Sequence, residues 1–289
     1  MAYGPDPIDG ISYGKQIDTG LVKIAPKLCR YAGLQENELN VNGGVGVPFE
    51  TNHLVRSMLL DEPAPMEQFE DQVSGRMLTL RAADSDGHRS SAHILVNRMY
   101  AARGYSTTPL PEGSNANRIT LIATDDDITI GTITVGFDGP DGLLVDELFR
   151  DQVDELRNDG AVLCEFIKLA VDGVVRSKRV LASLMHAAFI CAREIKGCDK
   201  VLIEVNPRHV RYYETMLGFA VLVRERHNRR VNAPAVLMSL DLAFAADQIG
   251  RVHKGDARNG RAERSLYRHS FSREETAGVV SRLRRRGDA

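Results

Sequence analysis

The chain has 289 residues, 43% hydrophobic and 26% charged, with a net charge of −2. That size and balance fit one large domain or two small ones, and they lack the overall basic character of a nucleic-acid binder. No apolar run nears the roughly 18 residues of a membrane span, MAYGPDPIDG has no secretory pattern, and the scattered Cys29, Cys164, Cys191 and Cys198 form no CxxC pair, so a cytoplasmic protein with reduced, buried thiols is expected.

Residues 1–75 read as an N-terminal arm, mostly extended or weakly helical. GISYGKQ and VNGGVGVPFE are rich in Gly, Pro and Asn; 20–35 has weak helical periodicity, and 53–74 has room for one short helix broken by DEPAP. The compact domain is expected over 76–245. MLTLRAA (77–83) alternates as a strand. Ser85 or Asp86 then caps a helix whose apolar face carries Ile94, Leu95, Met99 and Ala102. RITLIAT and ITIGTITVGF form a hairpin across an acidic turn. VDELFRDQVDELRNDG is a charged helix closed by Gly160. AVLCEFIKLAV (161–171) and KVLIEV (200–205) are central strands, separated by the amphipathic helix RVLASLMHAAFICAREIKG. Pro207 opens a helix over 208–216, where its missing N–H costs nothing. FAVLVRERH and PAVLMSLDL close the domain as a hairpin. This order predicts an α/β fold: a mixed central sheet with helices on both faces, and a splayed cleft between two central strands. Residues 246–289, where basic residues outnumber acidic ones and RLRRR lies near the end, read as a basic tail, either a solvated helix or a dock for an acidic partner.

Two sites draw attention before any family is considered. Glu165 lies in an otherwise apolar strand, where an ionised carboxylate needs a reason. It is a general base, or a structural carboxylate that pairs with Lys168 or turns out of the sheet. Tyr212 and Tyr213 follow Asn206-Pro207 and either point back into the cleft or simply pack. His88, His93, His186 and His209 have no metal-ligand spacing, and no metal is expected.

EVNPRHVRYYETMLGF (204–219), with GYS near 104, DELFRDQVDELRNDG and CEFIKLAV, resembles the long-chain N-acyl amino acid synthases of the FeeM type. These belong to the GNAT superfamily of N-acyltransferases and are related to acyl-homoserine-lactone synthases. The resemblance covers about 76–242. It implies transfer of a long-chain fatty acyl group from acyl carrier protein to the amine of an amino acid. The acyl-phosphopantetheine of the carrier protein, or acyl-CoA, would be co-substrate, and no cofactor would be tightly bound. The resemblance also implies a site. The strand 161–171 would hold the pantetheine through its main chain, and an N–H within Leu169–Val171 would face the oxyanion. Tyr213 would protonate the departing thiolate, with Tyr212 in reserve. The N-terminus of the helix at 179–197 would face the donor phosphate, supported by Arg176, Ser177, Lys178, Arg179 and Asn206. Arg98, Arg103 or Arg208 would bind the acceptor carboxylate; Phe166, Lys168 and Tyr212 would also bind substrate. Ile94, Met99, Phe137, Phe166 and Phe189 would line an acyl channel or belong to the ordinary core.

Two departures matter. The glycine-containing RxxGxG/A loop of acetyl-CoA enzymes reads VVRSKRVLAS (174–183), with no glycine after Gly173. Backbone carrying side chains cannot approach a diphosphate closely, whereas a carrier protein presents one phosphodiester on an acidic surface. The Glu-x-x-Arg of the lactone synthases reads Glu165-Phe-Ile-Lys168, and lysine lacks arginine's bidentate fork. The competing readings are an acetyl-CoA-dependent GNAT N-acetyltransferase, a lactone synthase (disfavoured by the absence of Trp) and a non-catalytic carrier-protein-binding module.

Overall fold

A computed structural model describes residues 45–49, 76–105, 117–173, 177–255 and 265–287. Arg176, most of the arm (including 20–35 and 53–74) and part of the basic tail lie outside the described residues.

Eight strands make one sheet in the order β1 (Val45–Phe49), β2 (Arg76–Ala82), β3 (Arg118–Asp125), β4 (Ile128–Phe137), β5 (Leu163–Val171), β6 (Lys200–Val205), β8 (Ala233–Asp241), β7 (Ala220–Asn228). Every neighbouring pair is antiparallel except β5 and β6, which run parallel. The single parallel pair follows from its connection, a helical crossover from the end of β5 to the start of β6. That crossover is α3 (Lys178–Phe189), which runs on as a π-helical turn, Ile190–Ile195.

The period-two alternation of the strands sorts their side chains between two layers. On one face Cys164 and Phe166 of β5 join Val201 and Ile203 of β6 in the main core under α3. On the other, Leu163 and Leu202 pack with Phe149 and Val153 of α2 (Asp146–Asn158). Glu165 and Glu204 each follow a residue of this second set by two positions and share its face. The helix α1 (Asp86–Ala101) covers the same face further along, over Ala170.

The Ser85 cap is present: its hydroxyl accepts the N–H of His88 at 3.2 Å. The expected apolar face of α1 is corrected. Ala92, Leu95 and Val96 are buried, whereas Ile94 is 65% exposed and Ala102 is exposed. The contact of α1 with Ala170 and β4, which its own periodicity does not encode, turns the helix so that Ile94 faces solvent.

Two boundaries also differ from expectation. The arm supplies β1, an edge strand paired with β2. The expected tail boundary at 245/246 falls inside α5 (Leu242–His253), and the chain beyond packs on the domain instead of being solvated. Leu266 and Tyr267, in a 3-10 turn over Leu266–His269, are buried in the main core with Phe271 and with Val279 of α6 (Arg273–Gly287). Their apolar residues come in ones and twos among polar and basic residues, too sparse a pattern to announce a packed segment. No helix among the described residues is long and apolar enough to cross a membrane.

Candidate active site

The site begins where β5 and β6 part. They pair from Leu163↔Lys200 to Glu165↔Leu202 and no further, although β5 runs on to Val171 and β6 to Val205. Within that unpaired limb of β5, Lys168 has φ of 53°, and the register with β4 slips between Thr132 and Thr134. This is a β-bulge, which bends the strand and takes main-chain groups out of the ladder. The slip leaves Lys168 and Leu169 out of the register with β4; Val171, at the end, is again opposite Gly131.

Two carboxylates, one fully buried and one half-buried, lie on the α1–α2 face of this fork. Glu165 is fully buried. Its Oε2 accepts the N–H of Val145 at 3.1 Å, while Oε1 has no hydrogen-bond partner among the described residues. A Cβ at Gly136 would stand 2.8 Å from that Oε1, so only glycine leaves room for the carboxylate. Burial raises the Glu165 pKa, against the opposing pull of the N–H groups of Leu144 and Val145. Lys168 is not its hydrogen-bond partner; burial and the neighbouring Arg118 lower the lysine's own pKa.

Glu204, on the β6 limb, was not singled out by the sequence. Its Oε2 accepts from Asn228 Nδ2 and lies 3.5 Å from an Arg230 guanidinium nitrogen, while its Oε1 is buried without a hydrogen-bond partner among the described residues. Burial pushes its pKa up to about 7, with Arg230 and Asn228 opposing and Glu165 reinforcing. The period-two step from Leu202 marked its face. Asn228 and Arg230 come from the β7–β8 hairpin, and nothing local in the sequence ties them to β6.

Around this pair stand aromatic and cationic side chains from α1 and the residues just after it, from the 3-10 turn Pro207–His209, and from α4 (Val210–Leu217), the helix that follows that turn. Arg208 donates to the Tyr105 hydroxyl at 2.9 Å and lies 5.7 Å from that ring's centre. Tyr105 meets Tyr100 edge-on at 6.0 Å. Arg103 donates to the carbonyl of Met99, and its pKa is lowered by burial and by Arg208, with Tyr105, Tyr100 and Tyr213 acting the other way. His209 accepts from Arg208 at 3.3 Å and is kept neutral, its pKa lowered to about 4 by burial and the neighbouring arginines. Arg103 and Arg208 therefore converge with Tyr100, Tyr105 and Tyr213. Arg98 does not join them: it is bound to Asp172 at 2.5 Å, just past β5.

Tyr212 and Tyr213 are half-buried and contact each other edge-on at 5.7 Å; Tyr213 also meets Phe219 at 5.8 Å. Burial raises both phenols, Tyr212 to about 12 and Tyr213 further, so both stay protonated at neutral pH.

On the donor side, Ser177 caps α3, its hydroxyl accepting the N–H groups of Arg179 and Val180 at 3.2 and 3.4 Å. Lys178 and Arg179 open the helix, and Arg176 lies outside the described residues. Asn206 caps the turn after β6, its side-chain oxygen accepting the N–H of Arg208 at 3.2 Å. Phe166 points to the opposite face from Glu165 and lines an apolar cavity of about 30 Å³ with Phe189 of α3. The other expected channel residues lie elsewhere: Ile94 is exposed, Met99 packs against the Leu95, Val96 and Ala170 cluster, and Phe137 is core beneath Lys196.

A family model described as "N-acyl amino acid synthase FeeM" matches residues 91–241. Among solved structures, FeeM, an N-acyl amino acid synthase from uncultured soil microbes, is 27% identical, with a TM-score of 0.54, covering 59% of this chain and 93% of its own. A putative N-acetyltransferase from Lactobacillus plantarum is 17% identical, with a TM-score of 0.42, over 57% and 98% of the two chains. The AHL synthase LasI is 10% identical, with a TM-score of 0.42, over 58% and 91%. No curated protein matches the chain. The forked mixed sheet is the GNAT-type acyltransferase fold.

Proposed function

This chain belongs to the FeeM family of N-acyl amino acid synthases, and on that premise we propose that it moves a long-chain fatty acyl group from acyl carrier protein to an amino acid at the β5–β6 fork. The observation that carries this reading is the fork itself, with the buried Glu165 and the half-buried Glu204 on one face and an apolar recess on the other.

The amine nitrogen attacks the thioester carbonyl carbon, a C–N bond forms, and the C–S bond breaks as the tetrahedral intermediate collapses. The acceptor ammonium must first lose a proton. The carboxylate pair takes it: Glu165 at the last paired position of β5, joined by Glu204, whose pKa near 7 suits a base at neutral pH. The oxyanion is met by main-chain N–H groups of Leu169–Val171, next to the bulge. Tyr213, protonated throughout the neutral range, gives its proton to the pantetheine thiolate, with Tyr212 behind it. Arg103 and Arg208 bind the acceptor carboxylate as charge-assisted donors. Arg98 is the weakest of the three expected arginines, because Asp172 already holds it. Lys168 on the bulge and Phe166 at the fork contact the substrates.

The donor phosphodiester is bound at the start of α3 by Lys178 and Arg179 and by the N–H groups that Ser177 leaves available, with Arg176 preceding them. Asn206, at the end of β6, flanks the pantetheine. The glycine-free stretch 174–183 favours a carrier protein over CoA as donor.

The test is mass spectrometry of lipid extracts from bacteria expressing the chain, beside Glu165→Gln and Tyr213→Phe variants of matched thermal stability. New masses equal to a fatty acid plus an amino acid minus water are expected, strongly reduced in both variants. Only acetylated products would replace the reading with acetyl transfer. Undiminished yield from a variant would remove that residue's role.

A further inference from the structure

Phe166 is the first β5 residue beyond the last β5–β6 pair, so its side chain stands at the mouth of the fork. It lines the apolar cavity on the α3 face, with Met185 and Phe189 of α3 along the side. The chain beyond the family-matched region supplies part of its wall, Leu266, Tyr267 and Ser270 among it. This wall is pinned at three points. The Tyr267 hydroxyl donates to the carbonyl of Leu217, at the end of α4, at 2.7 Å. His186 Nδ1 accepts the N–H of Phe271 at 2.8 Å, their rings stacked 4.7 Å apart. His253 Nε2 lies 2.8 Å from the Phe271 carbonyl oxygen. The segment is therefore built into the cavity.

We propose that this cavity is the end of the acyl-chain pocket, and that Leu266 and Tyr267 form the stop that sets the longest chain accepted. The inference rests on the fatty-acyl reading above. The occupant is an unbranched hydrocarbon chain, because the lining is almost wholly apolar and the recess opens from the fork where the thioester carbonyl sits. A volume of about 30 Å³ holds one water or one methylene. A chain that reaches it can grow only by displacing Leu266 or Tyr267.

Binding should tighten roughly fourfold with each added methylene until the terminal methyl meets that stop. The full chain is titrated with fatty acids of graded length, scoring affinity by displacement of a fluorescent fatty acid, and the acyl lengths of its products are measured in parallel. Leu266→Ala and Tyr267→Ala should carry the rise one or two methylenes further and lengthen the products. Ser270→Leu, which adds bulk to the same recess at a half-buried position and gives up only the 3.5 Å contact of its hydroxyl with His253 while keeping the three pins, should end the rise earlier, and it carries the test if the alanine variants fail to fold. A break at the same length in wild type and folded variants would overturn the stop. Length-dependent binding that shifts as predicted, with no fatty-acylated product, would keep the pocket and sink the transferase reading instead. No length-dependent binding at all would sink the pocket.

Discussion

Glu204 is the residue whose environment has the clearest consequence. It faces Glu165 from β5, Glu147 from α2, Arg230 and Asn228 from the β7–β8 hairpin, and Tyr100 from α1. Its pKa is raised from the ordinary 4.5 to about 7, with burial the largest cause. The folded state thus holds this proton more tightly than the unfolded chain does. The resulting stability is fully present below about pH 4.5 and is lost as pH rises through about 7. Glu204→Gln should therefore raise Tm at pH 8 more than at pH 5. If Glu204 is the base, the same variant should also abolish the rise of kcat/KM with pH centred near 7. A Tm gain equal at both pH values would show that the carboxyl is not strained by ionisation. An unchanged pH–rate profile would return the role to Glu165 alone. Glu165 could be picked out from sequence because it interrupts an apolar run. Glu204 could not, because its partners arrive from a hairpin two dozen residues on.

The turn that closes α4 explains the Gly-Phe after the paired tyrosines. Gly218 has φ of 80°, the left-handed conformation that ends helices, and Phe219 is buried beneath Tyr213. A Cβ on Gly218 would come within 2.6 Å of the Phe244 ring. That ring is 44% exposed and can swing aside, so the backbone conformation dominates the cost. Gly218→Ala should destabilise by about 1–2 kcal/mol, and Gly218→Asn by less, because asparagine tolerates this conformation. Equal melting of all three chains would mean that the turn relaxes freely. The same element carries Tyr212 and Tyr213, so a loosened turn should also raise KM without shifting the pH profile.

For the whole molecule, the chain beyond the family-matched region decides stability. Leu266, Tyr267, Phe271 and Val279 are all at least nine-tenths buried in the core under α3. Removing them exposes four large apolar side chains and their counterparts, at roughly 1.5–3 kcal/mol each, ~6–12 kcal/mol together. A domain has about 5–15 kcal/mol to lose. A chain ending at Gly255 should therefore lose its cooperative melt, and an unchanged melt would show that 265–287 only decorates the surface. The sequence by itself determined the strands β2–β8, the helices α1–α4, the mixed sheet they build, and Glu165 as a carboxylate out of place. Those features are local: period-two and helical alternation, capping residues and glycines act within a few positions. Only the tertiary structure decided that Glu204 joins Glu165, that Arg103 and Arg208 converge while Arg98 is held by Asp172, and that the basic tail is a wall of the core. Each depends on which distant segments share a face, and that is set by the packing of α1, the β7–β8 hairpin and the 265–271 segment on the finished sheet, which no stretch of residues encodes alone.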